Sequence, residues 1–502
     1  MSKPKLISSA PILLVKDVVA SANYYRDKVG FNYDMFWGEP PEFCILDRDG
    51  FHLMLKQVED EKFIVPHYKA VKNMWNVYFW VDDADKLYEE LKNLGATIGY
   101  ELCNQPYGCR EFGIQDLDGY DIAFGQEPGT TRLCEPSDSN VEPPGDGGPV
   151  LHGIDQAPDQ LFDGLQVSTL KQEGLNPKLI GDVLSAIRNG QYTKLDSMLI
   201  ARNGKLVLES YFNGFERDTK HDTRSAFKSV TSALAGIAVD KGLIGDLNQT
   251  ISSYFPDYWP EIQVDVEQKQ RISLIHLLTM TAGFDAEENF GIGPFRENDM
   301  FLSNDWVRFC LDLPMAHDPG TRFSYNSSTT FLIGEIVSRA AGESLPEFAR
   351  KHLFEPLGID TYCWTLTPKM RAVAQGSFFI RPRDMLKIGQ LFLNQGSWNE
   401  QPVISAGWVE ESTKHHLDTL GNNEGNQPQR DSYGYQWWTR RESDSTLDHY
   451  YASGNGGQRI QVFPHINMVV VFTGSNYNQP IGLRQQNEIL ECYILPAVRD
   501  YS

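Results

Sequence analysis

The chain has 502 residues, 41% of them hydrophobic, enough to bury large cores and to build two or three domains. A net charge of -22 and a pI near 4.9 exclude the clustered basic surface that nucleic acids and anionic membranes require. Seven cysteines, scattered, odd in number and without CxxC spacing, indicate neither a disulfide framework nor a zinc site and fit a reducing cytoplasm.

The first apolar run, Pro11 to Val15, is too short for a secretory core and leads straight into a charged amphipathic pattern, and no later stretch is long enough to span a bilayer. No export signal and no membrane partner are expected. The text "APILLVKDVVASANYYRDKVGF" predicts a strand, an Asp, and a helix with Val18, Ala22 and Tyr25 on one face. The text "NVYFWVDDADKLYEELKNLGAT" repeats the order with Leu87, Leu91 and Leu94. Three strand-like runs follow each, with Asp-Gly hairpin turns at 49–50 and 118–119. The order is βαβββ, twice.

Through "VKDVVASANYYRDKVGF" and "DLDGYDIAF" this segment resembles the vicinal-oxygen-chelate superfamily of glyoxalases, extradiol dioxygenases and bleomycin-resistance proteins. The resemblance implies metal ligands at the starts of the helix-preceding strands and in the closing strands, where this chain has Ala10, Asn76 and Ala123. Iron or zinc needs two or three converging donors, and His52 is a lone candidate. The expectation is a metal-free domain without cofactor that binds a small molecule or forms a homodimer. Trp37, Trp75, Tyr78 and Trp80 are candidate pocket residues, although strand aromatics more often serve as core.

Between Gln126 and Gly164 the chain is rich in Pro, Gly, Asp and Ser with no sustained period. The expected organisation is a first domain over 1–127, a linker over 128–163 and a second domain over 164–502.

In the second part, "DSMLIARNGKLVLESYFNG" predicts a hairpin about Asn203-Gly204, and "RSAFKSVTSALAGIAVDKGLI" a helix with Val230, Leu234, Ile237 and Ala238 in step. Ser225 and Lys228 stand at its amino end, on one face and within reach of each other. The helix terminus and burial both disfavour an ammonium, and a neutral lysine could take the serine proton. A capping serine beside an exposed lysine is the plainer reading of that spacing. Further on, "PGTRFSYNSSTTFLIGEIVSRAAG" places Tyr325 in a polar turn before an apolar helix, and "YYASGNGGQRIQVFPHINMVVVFTG" places Gly454-Asn455-Gly456-Gly457 at the entry of a hairpin.

This ordered set, with "ISLIHLLTMTAGF" and "YGYQWW", resembles the class C β-lactamase and penicillin-binding-protein-like serine hydrolases, in particular their esterase and 6-aminohexanoate-oligomer hydrolase branch. The resemblance implies Ser225 as nucleophile, Lys228 as general base and Tyr325 as proton shuttle with its pKa lowered by the lysine. It also implies an oxyanion hole from the N–H groups of Ser225 and Gly457. Ser327 stands where the family has Asn, and Gly454 where it has Lys or His, which argues against substrates held by a carboxylate. The expected fold is α+β: paired βαβββ modules, then a β-lactamase-like sheet flanked by helices with a helical insert around 247–400. The expected function is hydrolysis of a small ester or amide through an acyl-enzyme. A β-lactamase or D-amino-acid peptidase, and a catalytically silent ligand sensor, are the alternatives.

Overall fold

The computed structural model describes residues 10–71, 74–81, 83–104, 110–126, 131–134, 155–288, 296–418, 431–441 and 448–498. They fall into two compact units that meet in sequence between Thr130 and Thr131.

In the first unit, the expected elements form β1 (Ile12–Val15), α1 (Val18–Val29), β2 (Phe36–Trp37), β3 (Phe43–Arg48) and β4 (Phe51–Gln57). They recur as β5 (Val77–Trp80), α2 (Ala84–Leu94), β6 (Thr97–Asn104), β7 (Arg110–Gln115) and β8 (Asp121–Gln126). The sheets have equivalent orders, β1-β4-β3-β2 and β5-β8-β7-β6, each with one parallel pair made by the crossover helix. Both helices start on an Asp that accepts backbone N–H bonds, Asp17 from Val19 and Ala20, and Asp83 from Lys86. Both end on a left-handed glycine, Gly30 and Gly95. Val15, Ala22, Tyr25, Leu55, Leu91, Phe112 and Ile122 fill the core between sheets and helices.

The second unit is built on a nine-stranded sheet. Its order is Gln166–Val167, Lys205–Tyr211, Leu195–Arg202, Met468–Gly474, Gln458–Phe463, His449–Gly454, Trp438–Arg440, Asp431–Tyr433 and Leu417–Asp418. The predicted hairpin turns on Asn203 (φ 51°) and Gly204 (φ 77°), the paired positive values a two-residue turn requires. The helix Phe227–Asp240 is buried all round from Phe227 to Ala238 and packs on the helix Ser327–Ala341. Side-chain hydroxyls tie it down: Ser229 donates to the Gln436 carbonyl and Thr231 to that of Ala374, each at 2.6 Å.

Two expectations change here. Residues Thr131–Cys134, read as linker, form an edge strand antiparallel to Tyr362–Leu366, while most of the remaining linker lies outside the described residues. Cys363 is disulfide-bonded, which the scattered, odd-numbered cysteines do not announce. No helix of the described residues is long and apolar enough to cross a membrane.

Candidate active site

Ser225 lies in one 3-10 turn, Arg224–Ala226, that leads into the Phe227–Asp240 helix. Arg224 has φ +47°, a left-handed conformation that costs a non-glycine residue roughly 1–3 kcal/mol. Two glycines let other backbone close in on that turn. A β-carbon on Gly454 would collide with the Thr223 carbonyl oxygen and lie 3.1 Å from the Ala226 nitrogen, and one on Gly376 would lie 3.1 Å from the Arg224 carbonyl carbon. Thr223 fixes the approach, its N–H and its hydroxyl both donating to the Phe378 carbonyl. The aromatic ring of Phe227 stacks on Phe378 with centroids 4.3 Å apart. The turn is therefore over-determined by packing, and Ser225 stays half-buried at its apex.

Lys228 is 1% exposed, and burial lowers its pKa, opposed by the charges of Glu288 and Glu297. Its amine donates to the Ser327 hydroxyl at 2.9 Å and lies 5.3 Å from the Tyr325 ring centre. The Tyr325 phenol neighbours the Ser225 hydroxyl, and its ring packs against Trp438 and Tyr433. The structure thus brings together Ser225, Lys228, Tyr325 and Ser327. The lysine amine bonds Ser327 and faces the ring of Tyr325, which neighbours Ser225. The phenol also departs from expectation: burial, with the nearby carboxylates, raises its pKa, and only the neighbouring Ser225 hydroxyl lowers it.

Two carboxyls complete the cluster. Glu288 Oε1 accepts the Ser327 N–H at 2.6 Å, and Glu288 donates its own N–H to the Tyr325 carbonyl at 2.8 Å. Glu288 Oε2 and Glu297 Oε1 each lie 2.9 Å from the Ser327 hydroxyl. Burial pushes the Glu288 carboxyl up to about 7. Sequence reasoning missed both residues, because "AEENFGIGPFREND" has the composition of an ordinary solvated loop.

The glycine-rich hairpin entry divides in its roles. Gly454 packs on the Ser225 turn, as described. Asn455 and Asn478 lock together, Asn455 Nδ2 donating to Asn478 Oδ1 at 2.7 Å and Asn478 N–H to Asn455 Oδ1 at 2.8 Å. Gly456 (φ 93°) carries the Tyr477 ring against its α-carbon. The Gly457 amide, expected to face an oxyanion, donates instead to the Gly454 carbonyl at 3.3 Å, with its α-carbon turned toward Gln486.

In the first unit, Asn76 accepts the His67 N–H, Ala123 is buried, and His52 pairs with Asp47 at 3.4 Å. Among the described residues no three His, Cys, Asp or Glu side chains are placed to hold a metal. Buried Glu111 instead accepts from the phenols of Tyr78 and Tyr100, at 2.7 and 3.0 Å. Trp80 lines a cavity of about 480 Å³ with Phe31, Phe79, Phe124, Arg48 and Lys86. Of the other aromatic candidates, Trp37 packs on Phe43, and Trp75 and Tyr78 pack on each other.

Residues 191–490 match the Beta-lactamase family, and residues 9–124 match the Glyoxalase/Bleomycin resistance protein/Dioxygenase superfamily. The chain is 25% identical over 294 residues to the 6-aminohexanoate-dimer hydrolase of Paenarthrobacter ureafaciens, spanning 56% of this chain and 72% of that protein. Among solved structures, a Bacillus anthracis protein described as a 6-aminohexanoate-dimer hydrolase superposes with a TM-score of 0.53 at 21% identity, over 74% of this chain and 90% of the other. EstCE1, a hydrolase with promiscuous acyltransferase activity, superposes with a TM-score of 0.53 at 15% identity, over 65% of this chain and 100% of its own.

Proposed function

The chain belongs to the Beta-lactamase family through residues 191–490, and from that premise we propose that it is a serine hydrolase that opens a small ester or amide through an acyl-enzyme on Ser225. The observation that carries the proposal is the convergence of the Ser225 hydroxyl, the Tyr325 phenol and buried Lys228. As Ser225 attacks the carbonyl carbon, its proton passes to Tyr325 while the phenol gives its own to Lys228. The reverse transfer protonates the leaving group as its bond to the carbonyl breaks. A phenol held neutral by burial suits such a relay and would make a poor standing base. Water then attacks the acyl-enzyme along the same route.

The oxyanion needs backbone donors on the Ser225 turn. The Gly457 amide is occupied, so we assign this role to the N–H of Ser225 and the amide at the Gly454–Asn455 step, which the Asn455–Asn478 pair holds in place. The substrate reading is a neutral ester or amide. Arg459 is 4% exposed, bonded to Asn487 at 2.5 Å and set over the Tyr451 ring, and Arg224 beside the nucleophile is ion-paired to Asp222. The relative named for cleaving 6-aminohexanoate dimers supports an amide as readily as an ester. For the first unit, the cavity beside Trp80 supports binding of a small molecule.

Hydrolysis of short p-nitrophenyl esters by wild type and Ser225→Ala tests the assignment. Loss of turnover with an intact fold is expected, and an unchanged rate would overturn it.

A further inference from the structure

Ser327 makes three contacts with a hydroxyl that has one hydrogen to give and two lone pairs to accept with. Lys228 donates to its oxygen at 2.9 Å, and a carboxyl oxygen of Glu288 and one of Glu297 each lie at 2.9 Å. With both carboxyls ionised, the single hydrogen would have to serve two acceptors and one lone pair would go unused. With one carboxyl in its acid form all three contacts close: Lys228 and the acid donate to Ser327, and Ser327 donates to the remaining carboxylate. We propose that Glu288 and Glu297 share one proton and that Ser327 links this pair to Lys228 as a proton relay.

The consequence is a cluster that stays neutral while the lysine changes state. A lysine ammonium, one carboxylate and one carboxylic acid sum to zero. If the ammonium passes a proton to Ser327 while Ser327 passes its own to the carboxylate, the products are a neutral amine and two acids, again summing to zero. No hydrogen is gained or lost, and no uncompensated charge is created in a buried site. Two full carboxylates would instead hold Lys228 as an ammonium and block it as a base, since both raise its pKa. The Asn that the family resemblance places at position 327 could not carry this transfer, whereas a hydroxyl can. Among the described residues, Lys228, Tyr325 and Ser327 face the pair, with the Cys310 thiol within electrostatic reach of Glu288 and Arg296 turned to Asp285 and Asp299.

The inference rests on Lys228 acting as the base, but its first test does not. Infrared difference spectra, wild type minus Glu288→Gln and wild type minus Glu297→Gln, read the carbonyl stretch of a protonated carboxyl at neutral pH. Both differences should contain that band: either Gln replaces the acid form and leaves the other residue ionised. Ser327→Thr, which keeps the hydroxyl, should retain hydrolysis within about tenfold, and Ser327→Ala should lose at least about tenfold. Absence of the band from the wild-type protein, or Ser327→Ala as active as Ser327→Thr, would overturn the proposal. Labelling of Ser225 by a fluorophosphonate is independent of the band, and it distinguishes failure of this relay from failure of the hydrolase assignment.

Discussion

The Lys228 amine lies 2.9 Å from the Ser327 hydroxyl, one residue beyond the cap of the Ser327–Ala341 helix. A lysine in this position can change protonation state; an arginine cannot, because its guanidinium remains charged. Lys228→Arg should therefore lower kcat/KM for p-nitrophenyl acetate by at least about a hundredfold, the scale of a lost acid–base group. Activity within about threefold of wild type would mean that position 228 supplies a fixed cation, not a base.

Gly454 gives a second prediction, because its α-carbon is where the hairpin touches the nucleophile turn. An added methyl would meet the Thr223 carbonyl, so Gly454→Ala should displace the turn, cost about 1–3 kcal/mol of stability and lower turnover. Gly245→Ala, with no atom within 4 Å of the new carbon, is the control and should change neither. Equal behaviour of the two variants would refute the close approach as a functional constraint.

Much of this architecture is legible in the sequence. The βαβββ repeat is written in two Asp-capped amphipathic helices and their Asp-Gly turns, all local signals. The Ser225, Lys228 and Tyr325 cluster is legible only through the family's ordered motifs, since one serine and one lysine at helical spacing read equally well as a cap. Glu288 and Glu297 are not legible: their role depends on both meeting Ser327, 39 and 30 residues further along the chain. The same holds for Gly457, whose amide is taken by a carbonyl three residues earlier.

Substrate charge gives a third prediction. Arg459 is buried against Tyr451 and Asn487 and cannot hold a substrate carboxylate. A missing charge-assisted hydrogen bond is worth about 1.5–3 kcal/mol, or roughly ten- to hundredfold. The kcat/KM for a short neutral ester should exceed that for nitrocefin by at least about tenfold. Nitrocefin turned over as fast as the ester would restore the lactamase reading.

A fourth prediction concerns stability in the first unit. Burial pushes the Asp116 carboxyl from 3.8 up to about 6, despite bonds from the Tyr25 phenol and the Tyr120 and Asp118 amides. The folded protein therefore keeps a proton that the unfolded chain releases. This contribution is fully present below about pH 4 and fades as pH rises to about 6, by roughly 2–3 kcal/mol in all. Denaturant unfolding from pH 3.5 to 7 should show that decline in wild type and a shallower one in Asp116→Asn. Identical slopes would contradict it.

The central claim is that Ser225 is a nucleophile made reactive by its surroundings. Treating the protein with a fluorophosphonate and mapping the adduct by peptide mass spectrometry tests this most directly. The account predicts stoichiometric modification of Ser225 in wild type, at least about a hundredfold slower modification in Lys228→Arg, and none in Ser225→Ala. An unmodified Ser225 in folded wild-type protein, or modification that persists in Ser225→Ala, would contradict it.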